Sequence, residues 1–185
     1  MRVGGLDLAA KESRCSGYAE IEVRGGGAAL ARARCLYSDE EIVSTASVLS
    51  VVAIDAPLTN EPVMRDVDRA MVRLGYRVLP PSFKWMRVLS LRGYRISKEL
   101  ESVGVKVIET HPRSALTSSG AVSVKALLQA LNVCPRGVNL DDISKIKDLV
   151  DAIISATVAY CYVKGCVRVV RGRDGEVYLI ENLFR

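Results

Sequence analysis

Apolar residues along this chain come in short runs, and several of those runs carry a carboxylate inside them or at their end. Residues 3–10 form the first, with Asp7 inside; the run is long enough for a strand and short for a helix. Residues 17–23 alternate, with Ala19, Ile21 and Val23 against Tyr18, Glu20 and Glu22, the mark of a half-buried strand. Gly25, Gly26 and Gly27 supply a turn, and residues 28–37 read as the returning strand, with Arg32 and Arg34 sharing a face. Together these predict an antiparallel meander.

Ser38 and Glu41 make a capping box that opens a helix over residues 39–49. It leads into residues 51–54, apolar without alternation, the pattern of a strand buried on both faces and parallel to its neighbour. Asp55 stands at the end of that run, and Pro57 stops it. Residues 58–104 read as an insertion of two helices, about 61–74 and 82–103, the second interrupted at Gly93. Residues 105–108 give a further buried strand, with Glu109 at its end and Pro112 terminating it. Ser123 then caps a short helix, and residues 134–139 form a loop. A long apolar helix over 140–163 carries Asp148, Asp151 and Ser155 on one face. A hairpin of residues 167–170 and 177–180, around Asp174 and Gly175, closes the chain. The pattern predicts an α/β fold of one domain over 1–185: a mixed five-stranded sheet in the order 3-2-1-4-5, flanked by helices, with a helical insertion at 58–104 and a C-terminal hairpin.

A carboxylate on a buried strand is costly unless it is paired or holds a metal. The first and fourth strands lie side by side in this order, so Asp7 and Asp55 meet near the middle of the sheet. A helix packed over that face brings Asp148 and Asp151 to the same point. Convergent carboxylates on rigid elements suit a hard cation, Mg²⁺ or Mn²⁺, and the two-metal cleavage of a phosphodiester. Asp7, Asp55, Asp148 and Asp151 are therefore the candidate metal ligands, with Glu109 a further ligand or a residue that orients water. Against this, Asp148 can also face solvent and pair with Lys145 or Lys147.

Lys11, Arg65, Lys84 and Arg113 are the candidate phosphate contacts. His111, the only histidine, sits two residues beyond Glu109 and can be a ligand, a base or a strand-end hydrogen-bonding group. The second inserted helix mixes Phe83, Lys84, Trp85, Arg87, Arg92, Tyr94, Arg95 and Lys98, which suits a nucleic-acid surface. The plainer alternative is an amphipathic helix with a solvated basic face and Trp85 in the core.

With 49% apolar and 25% charged residues among 185, the chain is a folded one with room for a sizeable core. Its net charge of +5 permits a polyanionic partner without demanding one. The odd number of cysteines, five, and the lack of any C-x-x-C pair argue against a zinc site or a disulfide framework, leaving buried thiols as the expectation. No signal peptide or bilayer span is legible, so a cytoplasmic protein without membrane contact is expected, and a homodimer is open.

The segments GGLDLA, AIDAPL, the R-x-x-D of Arg65 and Asp68, ETHP, and the D-x-x-D-A of residues 148–152 occur in this order across nearly the whole chain. In them the sequence resembles the DUF429 family, described as predicted nucleases with a ribonuclease H-like fold. It is also similar to Holliday-junction resolvases of the RuvC type, whose metal-binding acids match Asp7, Asp55, Asp148 and Asp151. The resemblance implies that fold and a metal-dependent nuclease acting on DNA or RNA. Two other readings stay open: a non-catalytic nucleic-acid or protein-binding module on the same fold, and a hydrolase of nucleotides or other phosphate compounds.

Overall fold

The structure, a computed structural model, describes residues 1–184. The predicted meander is present as β1 (Arg2–Asp7), β2 (Ser16–Arg24) and β3 (Gly27–Leu36), each antiparallel to the next. The helix opened by Ser38, α1 (Asp39–Ala46), has the Ser38 hydroxyl accepting the Glu41 N–H. It returns the chain to β4 (Val51–Asp55), which lies parallel to β1. The insertion holds α2 (Asp66–Arg73) and α3 (Lys84–Ser102), both shorter than the pattern predicts. Gly93 does not interrupt α3. A Cβ there would stand 2.9 Å from the Cβ of Ala56, so the bare glycine lets the helix seat on the end of β4.

β5 (Lys106–Thr110) extends the sheet parallel to β4. Pro112 ends that strand as expected but also opens a helix that the pattern does not reveal, α4 (Pro112–Ser119), for which a proline in the first turn is well suited. α5 (Val124–Ala130) follows, and part of the expected loop is instead a short strand, β6 (Val133–Pro135), parallel to β3. The long C-terminal helix is two helices. α6 (Leu140–Ile143) ends, Ile146 takes extended dihedrals (φ −116°, ψ 98°), and α7 (Lys147–Lys164) begins. The hairpin β7 (Val167–Gly172) and β8 (Gly175–Ile180) joins the sheet through parallel pairing of β8 with β5. The sheet therefore has eight strands in the order β6-β3-β2-β1-β4-β5-β8-β7, with the predicted 3-2-1-4-5 as its centre.

Each face of the sheet is covered. Leu6, Leu36, Ile54, Ile96 and Leu100 belong to a buried cluster that includes residues of α1 and α3. The larger cluster, with Ile21, Ile108, Leu128, Ile153 and Leu179, includes residues of α2, α4, α5 and α7. α7 packs on β1, β2 and β4. It comes so close that a Cβ on Gly5 would lie 2.1 Å from the Ala156 nitrogen, and one on Gly17 would lie 2.0 Å from the Asp148 carbonyl oxygen.

Two disulfides replace the expected free thiols. Cys15 bonds Cys35, Cα atoms 5.0 Å apart, tying the loop after β1 to β3; Cys161 bonds Cys166 across the end of α7. The pairs are made by tertiary contact and by the turn at Gly165, neither of which leaves a short-range cysteine motif. Cys134 is free and exposed. Among the described residues no helix is long and apolar enough to cross a membrane.

Candidate active site

Asp7 and Asp55 occupy the last position of adjacent parallel strands and are register partners. Both are half-buried, and both lie at the C-terminal end of their strand, where the chain leaves the sheet and a cleft opens. Asp7 is also paired in register with Gly17, the glycine against which the Asp148 carbonyl rests. The break at Ile146 puts Asp148 in the first turn of α7 rather than in mid-helix, so the helix dipole favours its negative charge and that of Asp151 one turn on. The sequence pattern left this break unseen because the apolar periodicity runs through it.

The electrostatics identify this corner as unusual. Burial pushes the Asp7 carboxyl up to about 7; Asp151 and Asp148 add to the rise, while Lys147 opposes it. Asp55 is raised well above the usual range, first by burial and then by Asp7 and Asp151. No hydrogen bond to a described residue relieves either acid. Other buried acids are partnered: Asp68 and Glu109 by Arg65, Glu20 by Tyr18 and Arg32.

Lys147 is the cation of the cluster. Its ammonium donates to Asp151 and feels the charge of Asp7 and Asp55, which raises its pKa. Of the two lysines considered as partners of Asp148, neither takes it: Lys147 pairs with Asp151 and Lys145 with Asp142. Among the described residues no three His, Cys, Asp or Glu side chains are already gathered as a ligand set, since Asp151 is turned to Lys147 and Glu109 to Arg65.

Glu109 and Arg65 lie beside the site in a different role from the one expected. Arg65 gives Nη1 and Nη2 to Glu109 (2.8 and 2.5 Å), and Nε and Nη2 to Asp68 (3.1 and 2.7 Å), all buried. Glu109 Oε2 also accepts the Leu58 N–H at 2.8 Å. With four of its donor contacts made inside the protein, Arg65 is no free phosphate contact. It is the guanidinium that lets two acids be buried. The triad ties the start of α2 and the segment after β4 to the end of β5, fixing the wall of the cleft.

His111, at the N-cap position of α4, shares a 2.7 Å hydrogen bond between Nδ1 and the Ser114 hydroxyl. Burial lowers its pKa, Asp151 works against that, and Arg113 and Lys147 with it, so the ring is neutral at pH 7. Arg113 is exposed on the same helix.

The mixed aromatic and basic segment splits in two. Arg92 is buried, donating Nε to Asp39 (2.7 Å), Nη1 to the Ala9 carbonyl (2.6 Å) and Nη2 to the Tyr37 carbonyl (2.8 Å), so it braces the loop after β1 and is unavailable to a ligand. Trp85 is not in the core. It is 62% exposed, with the Nζ of Lys11 and of Lys84 5.5 and 5.9 Å from its ring centre. Phe83 beside it is also exposed. A cavity of about 200 Å³ adjoins the acids, its lining including Asp7, Asp55, Met71, Met86, Leu89 and Val177.

A structure of T. thermophilus RuvC in complex with Holliday junction substrate is similar over 89% of this chain and 97% of that one, with a TM-score of 0.56 and 14% identity. This chain has a ribonuclease H-like fold. Another Thermus thermophilus RuvC structure aligns over the same shares at 16% identity with a TM-score of 0.46. No protein-family model matches the chain and no curated protein matches it, so the resemblance to the DUF429 family finds no support there.

Proposed function

We propose that this protein is a metal-dependent phosphodiester hydrolase acting on nucleic acid, with Asp7, Asp55 and Asp148 or Asp151 holding Mg²⁺ or Mn²⁺. The observation that carries the reading is the pair of neighbouring acids, Asp7 and Asp55, which have no hydrogen-bonded or ion-paired partner among the described residues and line a cleft. Their mutual repulsion is a standing cost that a divalent cation would remove. The donor set is all oxygen, which fits a hard cation and excludes a zinc thiolate site.

Within this reading, Asp7 and Asp55 bind from rigid strands, and the first turn of α7 supplies the remaining carboxylate. Were Asp151 the residue holding the ion, Lys147, whose side chain is 83% exposed, would release it to solvent. Held by Asp7, Asp55 and the carboxylate of α7, such an ion would supply charge stabilisation for the oxygens of a phosphodiester undergoing cleavage. His111, neutral and held by Ser114, faces the same cleft and can accept or donate one proton there. Glu109 positions the segment after β4 through the Leu58 N–H instead of binding the ion. Lys11 and Lys84 with Trp85, and Arg113 on α4, form the outer contacts for phosphate and base. The RuvC of the similar structure is bound to a Holliday junction, and a nucleic-acid substrate is consistent with the net charge of +5 here.

One feature favours the competing reading of a non-catalytic binding module: Asp151 already has a cation in Lys147. Incubating the protein with single-stranded, hybrid and branched substrates in Mn²⁺, beside Asp7→Asn, separates the two. Hydrolysis by the unaltered protein that vanishes in Asp7→Asn supports the enzyme. Binding without hydrolysis in both supports the module.

A further inference from the structure

The cavity beside the two acids has a shape and lining that the reading above does not use. We propose that it receives a single nucleobase, so that the nucleotide at the site of cleavage is unpaired when it is cut; this rests on the hydrolase reading and names its substrate more closely. About 200 Å³ is smaller than the roughly 300–1,000 Å³ of pockets that enclose drug-sized ligands, whereas about 150 Å³ already holds a benzene ring. The space fits one ring system with its sugar edge and is too small for a base pair.

The walls are thioether and aliphatic, from Met71 on α2, Met86 and Leu89 on α3 and Val177 on β8, with Leu79, 65% exposed, also in the lining. Polarisable sulfur and flat aliphatic surface suit the face of a heteroaromatic ring. The polar groups of the lining are largely spent. Arg65, Asp68 and Glu109 satisfy one another, and the Thr110 hydroxyl donates to the Tyr178 carbonyl. His111 keeps Nε2 for one polar contact, because its Nδ1 is on Ser114. Such a pocket accepts the ring of any base and reads little of its hydrogen-bonding edge.

Charge fixes which way a strand lies. Acids that call for a cation and a phosphate line the cavity, and Lys11 and Lys84 flank exposed Trp85 close in sequence to Met86, itself a lining residue. A strand with one phosphate at Asp7 and Asp55 and others at the two lysines carries the intervening base past the opening. Turning a base out is easiest where it is unpaired or mismatched, so substrates with such nucleotides are the ones selected.

The test uses Asp7→Asn protein, which holds the strand uncut, and a duplex containing a fluorescent aminopurine opposite an abasic position. Binding is expected to change the aminopurine emission by about twofold or more. The double change Leu79→Phe and Met86→Phe in the same background fills the cavity and abolishes that response, while affinity for the duplex stays within about threefold because the outer phosphate contacts remain. In otherwise unaltered protein, cleavage beside an unpaired nucleotide exceeds cleavage of the continuous duplex by about tenfold. Leu79→Phe alone, at an exposed position, lowers that ratio and leaves the Mn²⁺-induced rise in melting temperature unchanged, which guards against a folding defect. Equal cleavage of paired and unpaired targets overturns the base pocket and leaves hydrolysis standing. An emission change without any cleavage supports the pocket and overturns hydrolysis. Equal affinity for the free aminopurine nucleotide and the strand overturns a strand as the occupant, and failure to bind any of the probes overturns the pocket.

Discussion

Asp7 and Asp55 are register partners on adjacent parallel strands with no hydrogen-bonded partner among the described residues, and the charge of Asp7 adds to the rise that burial imposes on Asp55. Repulsion of this kind is tolerable in a fold whose stability margin is small only because these two acids can stay protonated or bind an ion.

Their titration gives the first prediction. A carboxyl raised from an ordinary 3.8 to about 7 binds its proton more tightly when folded, so the metal-free protein loses stability as pH rises from about 4 to about 7 and levels off above. Asp55, shifted in the same direction by burial and by the charge of Asp7, adds to the loss. Asp7→Asn removes most of its own share, and at pH 8 the metal-free variant is more stable by on the order of 2 kcal/mol, allowing for the open side of the half-buried carboxyl. Urea melts at pH 5 and pH 8 measure this; an equal effect of the substitution at both pH values contradicts it.

Lys147 gives a second. As the cation hydrogen-bonded to Asp151, it offsets part of the repulsion in the metal-free state, by less than about 1 kcal/mol because its side chain is mostly in water. Lys147→Met therefore lowers the metal-free melting temperature at pH 8 slightly and strengthens Mn²⁺ binding about threefold to tenfold by removing a competitor. Calorimetric titration reads the affinity, and a weaker ion in the variant makes Lys147 a helper of the metal instead of its rival.

A third concerns the seat of α7. Gly17→Ala thrusts a methyl group into the Asp148 carbonyl, 2.0 Å away, so either the helix or β2 must move. Overpacking of this kind costs on the order of 1–3 kcal/mol. Mn²⁺ affinity falls with it, because the acids of α7 retreat from Asp7. A variant that is as destabilised as expected yet binds Mn²⁺ normally argues that α7 supplies no ligand.

Much of this geometry was legible before the fold was known, and the parts that were not have physical causes. Alternation in 17–23 and unbroken apolar runs at 51–54 and 105–108 fixed the centre of the sheet, and with it the Asp7–Asp55 juxtaposition. β6 is too short to alternate, and the joining of β8 to β5 depends on tertiary packing. Arg65 looked like a phosphate contact because an R-x-x-D spacing does not reveal that a distant Glu109 completes the pair. Arg92 and Trp85 fit neither reading of the second inserted helix whole: the arginine is buried, against both, and the tryptophan is exposed, as the nucleic-acid surface requires and the plainer alternative does not. Only the close packing of α3 against the ends of β1 and β4 decides that. The glycines Gly5 and Gly17 carried a signal that periodicity ignores: small residues in strands mark where a helix backbone comes close.

The Arg65 triad supplies a fourth prediction. Arg65→Met leaves Asp68 and Glu109 buried without their cation and destabilises the protein by about 3–5 kcal/mol at pH 7, whereas a surface phosphate contact would change stability little. The loss shrinks on acidification, because Glu109, whose carboxyl burial already raises, can then take up a proton. Thermal melts at pH 5 and pH 7 separate these outcomes.

The central claim is that Asp7 and Asp55 share a divalent ion, and equilibrium titration of the protein with Mn²⁺ followed by electron paramagnetic resonance tests it most directly. Saturable binding at pH 8 that weakens toward pH 5 and is lost in Asp7→Asn and in Asp55→Asn is the predicted result. Binding that is absent, or that persists unchanged when both acids are replaced, contradicts it.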